Sequence, residues 1–382
     1  MQRSTDRILT THTGSLPRPD ELEEAMLETL AGRKHSDPDR VAVLVREATA
    51  GVVRKQADAG IDIVNDGEYG KPSYSTYVTD RLNGFGGESD PLVISDFTDY
   101  PGSERSLASD PAYTQMARPA CVEPVTRRDD ADAAAQTDIA LLKSALEGVD
   151  VTGAFMTAVS PATISMFMQN KYYPDVESYL SALADAMRPE YQAIIDAGFD
   201  LQIDAPDLGC GHVLYAGADH DELKRNLALH IEILNAALDG LPSDRMRMHV
   251  CWGNYEGPHH YDIEFKEIVD IVLRARLDGL VVEGANPRHE HEWQVWEDVP
   301  LPDGKLLMPG VIDSTNNYIE HPELIAQRLV RYAKVVGREN VLGASDCGFA
   351  TMVGMRGTAP SVAWGKLESL SAGARLATEQ LW

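Results

Sequence analysis

Short apolar runs alternate with amphipathic stretches from one end of the chain to the other, and this leaves few architectures open. Eight runs have strand character, at 8–13, 61–66, 154–159, 200–204, 246–251, 279–283, 307–313 and 341–346. Most are β-rich and close on turn residues, as in Met246-Arg247-Met248-His249-Val250-Cys251. Helical spacing fills the intervals. Residues 222–238 place Leu223, Leu227, His230, Ile231, Leu234 and Leu238 on one face. Pro322–Val336 does the same with Leu324, Ile325, Leu329, Tyr332, Ala333 and Val336, and its proline suits a first helical turn. Strand–helix alternation predicts a parallel sheet, and eight units predict closure into an α/β barrel of the TIM type, with a doubly wound open sheet as the alternative.

One segment breaks the rhythm. Residues 84–128 are rich in Gly, Ser, Asp and Pro and longer than an ordinary connection, so they read as an irregular or β-containing insertion after the second strand. Long loops of this kind often act as lids. No linker or internal repeat divides the chain, and residues 1–382 read as one catalytic barrel with 84–128 inside it.

Charge narrows the functions. With 60 acidic against 34 basic residues the net charge is −26, a field that repels phosphate backbones and argues against nucleic-acid binding. The first residues are polar with no apolar stretch behind them, and no run approaches the ~18 apolar residues of a membrane span. The four cysteines, Cys121, Cys210, Cys251 and Cys347, are too sparse for a disulfide scaffold. A cytoplasmic protein with free thiols is the expectation.

The informative polar residues stand at strand ends, where barrels gather their chemistry. His249 and Cys251 are spaced by one residue, so both side chains point to one side of their strand. Glu283 ends the next strand and Cys347 follows the last. Two thiolates, an imidazole and a carboxylate make a tetrahedral set that favours zinc over magnesium or calcium. A His-x-Cys pair alone is more often simply packed; the added strand-end Glu and Cys shift the balance toward a metal site. Trp252 and Tyr255 follow as candidate pocket walls, because aromatics keep water from a thiolate. Arg288-His289-Glu290-His291-Glu292 reads as a mixed-charge surface loop, and Cys121 as a small packed residue.

His249-Val250-Cys251, Glu283 and Asp346-Cys347-Gly348 resemble, in order and approximate spacing, the zinc signature of the cobalamin-independent methionine synthase family. Thr13-Gly14-Ser15-Leu16-Pro17, Asp66-Gly67-Glu68, Ser160-Pro161-Ala162-Thr163-Ile164 and Gln202-Ile203-Asp204 with Pro206 resemble further motifs of that family, across residues 8–375 apart from the insertion. The resemblance implies a barrel that binds zinc through His249, Cys251, Glu283 and Cys347. It implies that zinc activates a small thiol for methylation, with Glu283 giving way as the thiol arrives. It further implies that Glu68 and Asp204 hold the amino group of homocysteine, with Ser15 near its carboxylate.

On the donor side the chain departs from the family's pattern. Phe167 stands where the family has a folate-site tryptophan, and Cys210 where it has a pterin-binding glutamate. Asp313-Ser314-Thr315 replaces an Asp-Ile-His proton relay, leaving Asp313 without its histidine. A methyltetrahydropteroyl-polyglutamate donor is therefore in doubt, and a methylated corrinoid protein or a methyl sulfonium are the candidate donors. Two alternatives stay open. One is epoxide opening of the related epoxyalkane:coenzyme M transferase type, with Lys171, Arg288, His289 or His291 meeting the sulfonate. The other is a non-catalytic zinc- or thiol-binding family member.

Overall fold

The computed structural model describes residues 1–104, 107, 110–215, 217–355 and 357–382, so part of the 84–128 insertion (105, 106, 108 and 109) lies outside the described residues. Eight parallel strands form one sheet: β1 (Leu9–Thr10), β2 (Ile63–Val64), β5 (Gly153–Val159), β6 (Asp200–Asp204), β7 (Met246–Val250), β8 (Gly279–Val282), β9 (Leu306–Ile312) and β10 (Leu342–Ser345). A separate antiparallel pair, β3 (Leu82–Gly86) and β4 (Ala120–Arg127), brackets the insertion. In the large sheet the order is β1-β10-β9-β8-β7-β6-β5-β2. The ends meet: Asp62 N–H donates to the Thr10 carbonyl at 3.2 Å, and the Thr11 hydroxyl to the Ile63 carbonyl at 3.1 Å. The parallel barrel expected from the alternation is present, nearly closed.

The first two strands are shorter than their apolar runs. Past Thr11 and Val64 the chain turns to side-chain pairing: Thr13 donates its N–H to the Ser345 hydroxyl at 3.2 Å and Asn65 its N–H to Gln56 Oε1 at 2.9 Å. Helices pack outside. Pro322–Val336 begins on its proline, and His220–Ala237 starts from Asp219, whose carboxylate accepts the Glu222 N–H at 2.8 Å. No helix among the described residues is long and apolar enough to cross a membrane.

The lower barrel is plugged by Leu9, Ile63, Phe155, Val281, Leu306, Met308, Leu342 and Ala344. One cation shares this interior. Arg247 sits over Phe155, its guanidinium carbon 3.6 Å from the ring centroid, and donates to Gln202 Oε1 at 2.8 Å, Thr11 Oγ1 at 3.0 Å and the His12 carbonyl at 3.0 Å. Burial pushes its pKa down to about 9, so it stays protonated near neutrality. Gln202 in turn donates to Asp204 Oδ1 at 2.7 Å, tying the plug to the strand ends above it.

Near that rim β9 and β10 shift register between Ala344 and Ser345. Irregularities of this kind re-aim side chains at barrel rims. Here the shift delivers Asp346 against Gly310, where an added Cβ would stand only 2.0 Å from Asp346 Oδ1. Only glycine leaves that room.

Candidate metal and substrate site

A cavity of about 430 Å³ opens at the carboxyl ends of the strands. Its floor is polar, with Thr13, Ser15, Glu68, Asp204, His249, Cys251 and Cys347; its roof is apolar, with Leu92, Ile94, Phe97, Met116, Met166 and Phe167.

On the floor, ligand atoms of His249, Cys251 and Cys347 lie within 4.8 Å of one another, all three residues buried. The two Sγ atoms are 3.6 Å apart, near the ~3.8 Å that two thiolates ~2.3 Å from one tetrahedral zinc would keep. Neither ring nitrogen of His249 makes a hydrogen bond of normal geometry among the described residues, although the Val281 backbone is close enough to favour its proton slightly. Burial pushes His249 down to about 3, so the imidazole is neutral and free to coordinate. Contact with Cys347, then burial, pushes the Cys251 thiol up. A cation would reverse that, because coordination deprotonates a thiol. An orphaned buried imidazole and two converging thiols fit zinc.

Glu283 stands outside this trio. Its Oε1 accepts the Trp252 N–H at 2.8 Å and its Oε2 the Asn286 side-chain amide at 2.7 Å. Asp346, beside Cys347, accepts the N–H groups of Gly284, Ala285 and Asn286, each at 2.8 Å. The turn after β8 is thereby fastened to the end of β10.

Glu68 and Asp204 both line the cavity. Glu68 adopts φ 60, a left-handed backbone that typically costs a non-glycine residue ~1 kcal/mol or more. Asp66 holds it there by accepting the Glu68 N–H at 2.9 Å, and Arg18 by donating to the Glu68 carbonyl at 3.0 Å. Its Oε1 accepts from the Thr157 hydroxyl at 2.8 Å; its Oε2 is buried without a partner among the described residues. Gly14 makes room, since a Cβ there would lie 2.8 Å from that Oε1. Burial raises both carboxyls, and each is affected by other charges: Glu68 pushes Asp204 further up, while Lys71 draws Glu68 down. Two buried carboxylates with a free oxygen are suited to an ammonium.

The remaining expectations divide. Ser15 and Phe167 line the cavity. Trp252 does not: it is buried behind the metal trio, its indole N–H on the Ile263 carbonyl at 2.7 Å and its ring 4.4 Å from that of His289. Tyr255 does line the cavity. Asp313 lies outside the lining and holds its own turn, accepting the Thr315 N–H at 2.7 Å and hydroxyl at 2.8 Å. His289 and Glu292 correct the surface-loop reading of 288–292. His289 is buried between Asp262 (3.0 Å) and Glu292 (2.9 Å), which outweigh burial and raise it to about 10. It is locked, and like Lys171, Arg288 and His291 it does not reach the cavity.

Several supporting residues carried no sequence signal. Arg18 joins the Glu68 turn to the Ala350 carbonyl (2.8 Å), and Asp207 anchors Ser160 and Thr163 through 2.6 Å hydrogen bonds. The insertion supplies much of the roof and is latched to the loop after β7: the Tyr261 hydroxyl and His260 Nε2 meet Asp99 at 2.7 and 2.9 Å, and the Tyr113 hydroxyl reaches the Asn254 carbonyl at 3.3 Å.

No protein-family model matches the chain. Among curated proteins, 2-hydroxypropyl-CoM lyase of Xanthobacter autotrophicus is 25% identical over 370 residues, covering 89% of each chain. Methionine synthase of Saccharolobus solfataricus is 25% identical over 379 residues, covering 97% of this chain and 95% of that protein. Among solved structures, a B12-independent methionine synthase from Shewanella sp. superposes with a TM-score of 0.72 at 22% identity, covering 98% of this chain and 99% of the other. A putative B12-independent methionine synthase from Listeria monocytogenes gives 0.65 at 20%, with the same coverage. Over most of its length the chain is thus similar in sequence to proteins named methionine synthase and 2-hydroxypropyl-CoM lyase, and it shares the fold of B12-independent methionine synthases.

Proposed function

We propose that the chain is a zinc-dependent thiol S-alkyltransferase, with homocysteine as acceptor and a methyl as the group transferred. The observation that carries this is the meeting, on one cavity floor, of the His249–Cys251–Cys347 trio and the Glu68–Asp204 pair. The names of the curated relatives support the same chemistry.

Zinc held by His249, Cys251 and Cys347 would supply the positive charge that lets a thiol ionise near neutral pH. Glu68 and Asp204 bind the acceptor's ammonium and so fix where its sulfur lies. Ser15 stands beside them for the carboxylate. Glu283, one residue beyond β8, would give up its hydrogen bonds to Trp252 and Asn286 to act as the fourth ligand. Asp313 acts at a distance, by holding the turn whose Ser314 hydroxyl reaches Asn254 Oδ1 at 3.0 Å. The apolar roof keeps water from the nucleophile. In the reaction the thiol gives up its proton and its sulfur bonds to the donor's methyl carbon. The bond from that carbon to the leaving group breaks, and the leaving group keeps the electron pair. With Thr315 in place of a relay histidine, a folate would leave without an evident acid, a loss worth ~10²–10⁴ in rate. A methylated corrinoid protein or a methyl sulfonium is the better donor.

The test is calorimetric titration of homocysteine into the zinc-loaded chain and into Glu68→Gln. Binding that weakens at least about tenfold in the variant supports the assignment; equal binding refutes it. A second reading, epoxide opening by coenzyme M, is favoured by the 2-hydroxypropyl-CoM lyase relative. It is opposed by the two carboxylates, which repel a sulfonate. Coenzyme M binding in place of homocysteine would reverse the order of the two.

A further inference from the structure

Arg118 is the one Lys or Arg among the described residues of the cavity lining, and it belongs to the roof rather than the floor. Its position is fixed from both sides. The Arg118 carbonyl accepts the Ser89 N–H at 2.8 Å, the Ala117 N–H donates to the Leu30 carbonyl at 2.9 Å, and the Pro119 carbonyl accepts the Ser89 hydroxyl at 3.1 Å. The guanidinium itself has no hydrogen bond or ion pair among the described residues. Glu104, an acid of the same lining, is turned to the Gly102 N–H at 2.6 Å. Burial lowers the Arg118 pKa, and no acid acts to raise it. In a chain with 26 more acidic than basic residues, a half-buried guanidinium without a counter-ion calls for a reason.

Its surroundings supply one. A wider groove of about 1210 Å³ runs past β3 and the loop after the first helix, and shares only Met116 and Arg118 with the cavity lining. Arg33, Lys34 and Arg128 line that groove, and so do Asp80, Glu88 and Glu123. Arg118 therefore stands where groove and cavity adjoin, the one cation common to both. Across the cavity, Glu68 and Asp204 claim an ammonium.

We propose that Arg118 receives an anionic group, a carboxylate or sulfonate, carried by the alkyl donor. The reactive carbon is thereby directed down toward the thiol, and the charged end toward the groove. This deepens the alkyltransferase reading and rests on it. A planar guanidinium suits carboxylate and sulfonate oxygens, and the low dielectric under the roof strengthens the pairing.

The probes are methylthiopropionate, a dead-end donor mimic, and its uncharged amide, titrated calorimetrically into the wild-type chain, Arg118→Gln and Arg118→Lys. The wild type should prefer the acid by about tenfold. The preference should vanish in Arg118→Gln and survive in part in Arg118→Lys, with homocysteine binding unchanged in both. Equal binding of acid and amide to the wild type, or a preference that survives Arg118→Gln, overturns the proposal. If Arg118→Gln instead weakens homocysteine or coenzyme M and leaves methylthiopropionate alone, the anion belongs to the thiol and the donor assignment falls. If the wild type prefers the acid but binds no homocysteine, the acceptor reading fails while Arg118 keeps its role.

Discussion

The floor and the roof of the cavity are built by different means. The floor residues sit on or just past strand ends, and the barrel's hydrogen bonding sets their spacing: Asp204 on β6 is in register with His249 on β7. The roof is drawn from helices, loops and an insertion fastened by side chains, such as Tyr261 and His260 on Asp99. Under the proposed function, a rigid floor would fix where a sulfur is held, and a roof built from a long connection could change donor without disturbing that floor. The difference teaches that acceptor chemistry and donor choice would then be separable.

That separation can be broken by substitution. The largest effect should come from Cys251→Ser or Cys347→Ser, each removing a ligand of the trio. Zinc affinity should fall by about 10²-fold or more while the barrel still folds, measured by competition with a chelating dye and by circular dichroism. Next, Asp204→Asn should weaken homocysteine by roughly 10–100-fold with zinc content unchanged. Because it removes half of a buried repulsive pair, its melting temperature should stay level or rise. A melting temperature that falls with homocysteine binding intact would assign Asp204 to the fold alone. Asp346→Asn loosens the turn after β8 and should cost about tenfold in zinc affinity, the scale of support lost around metal ligands. Smallest, Phe167→Ala in the roof should raise the KM for the donor a few-fold and leave homocysteine and zinc binding as they were. A loss of homocysteine binding in Phe167→Ala would collapse the distinction between floor and roof.

The same contrast explains what could be read in the sequence. Strand ends announce themselves, because a polar residue closing a short apolar run has few places to go in a barrel. His249, Cys251 and Cys347 stood out for that reason, and Glu68 and Asp204 through the family's motifs; the structure brings the five to one cavity. Trp252 was misplaced because the alternation that aims side chains stops at Val250, where β7 ends. His289 looked like part of a charged loop because its partner Asp262 is remote in sequence; burial of a charge can be read only when the counter-charge is known. The roof was opaque. Leu92, Ile94, Phe97 and Met116 follow no period and lie among Gly, Ser and Asp, so composition hides their common destination. Arg118 could not have been singled out, since its significance lies in its guanidinium having no partner among the described residues.

The most direct test of the central claim is metal analysis of the purified chain beside Cys251→Ser and Cys347→Ser, followed by proton release on adding homocysteine or coenzyme M. The account predicts about one zinc per wild-type chain, its loss in both variants, and protons released by homocysteine alone. A wild-type chain that binds no zinc, or keeps it after either cysteine is replaced, would contradict it.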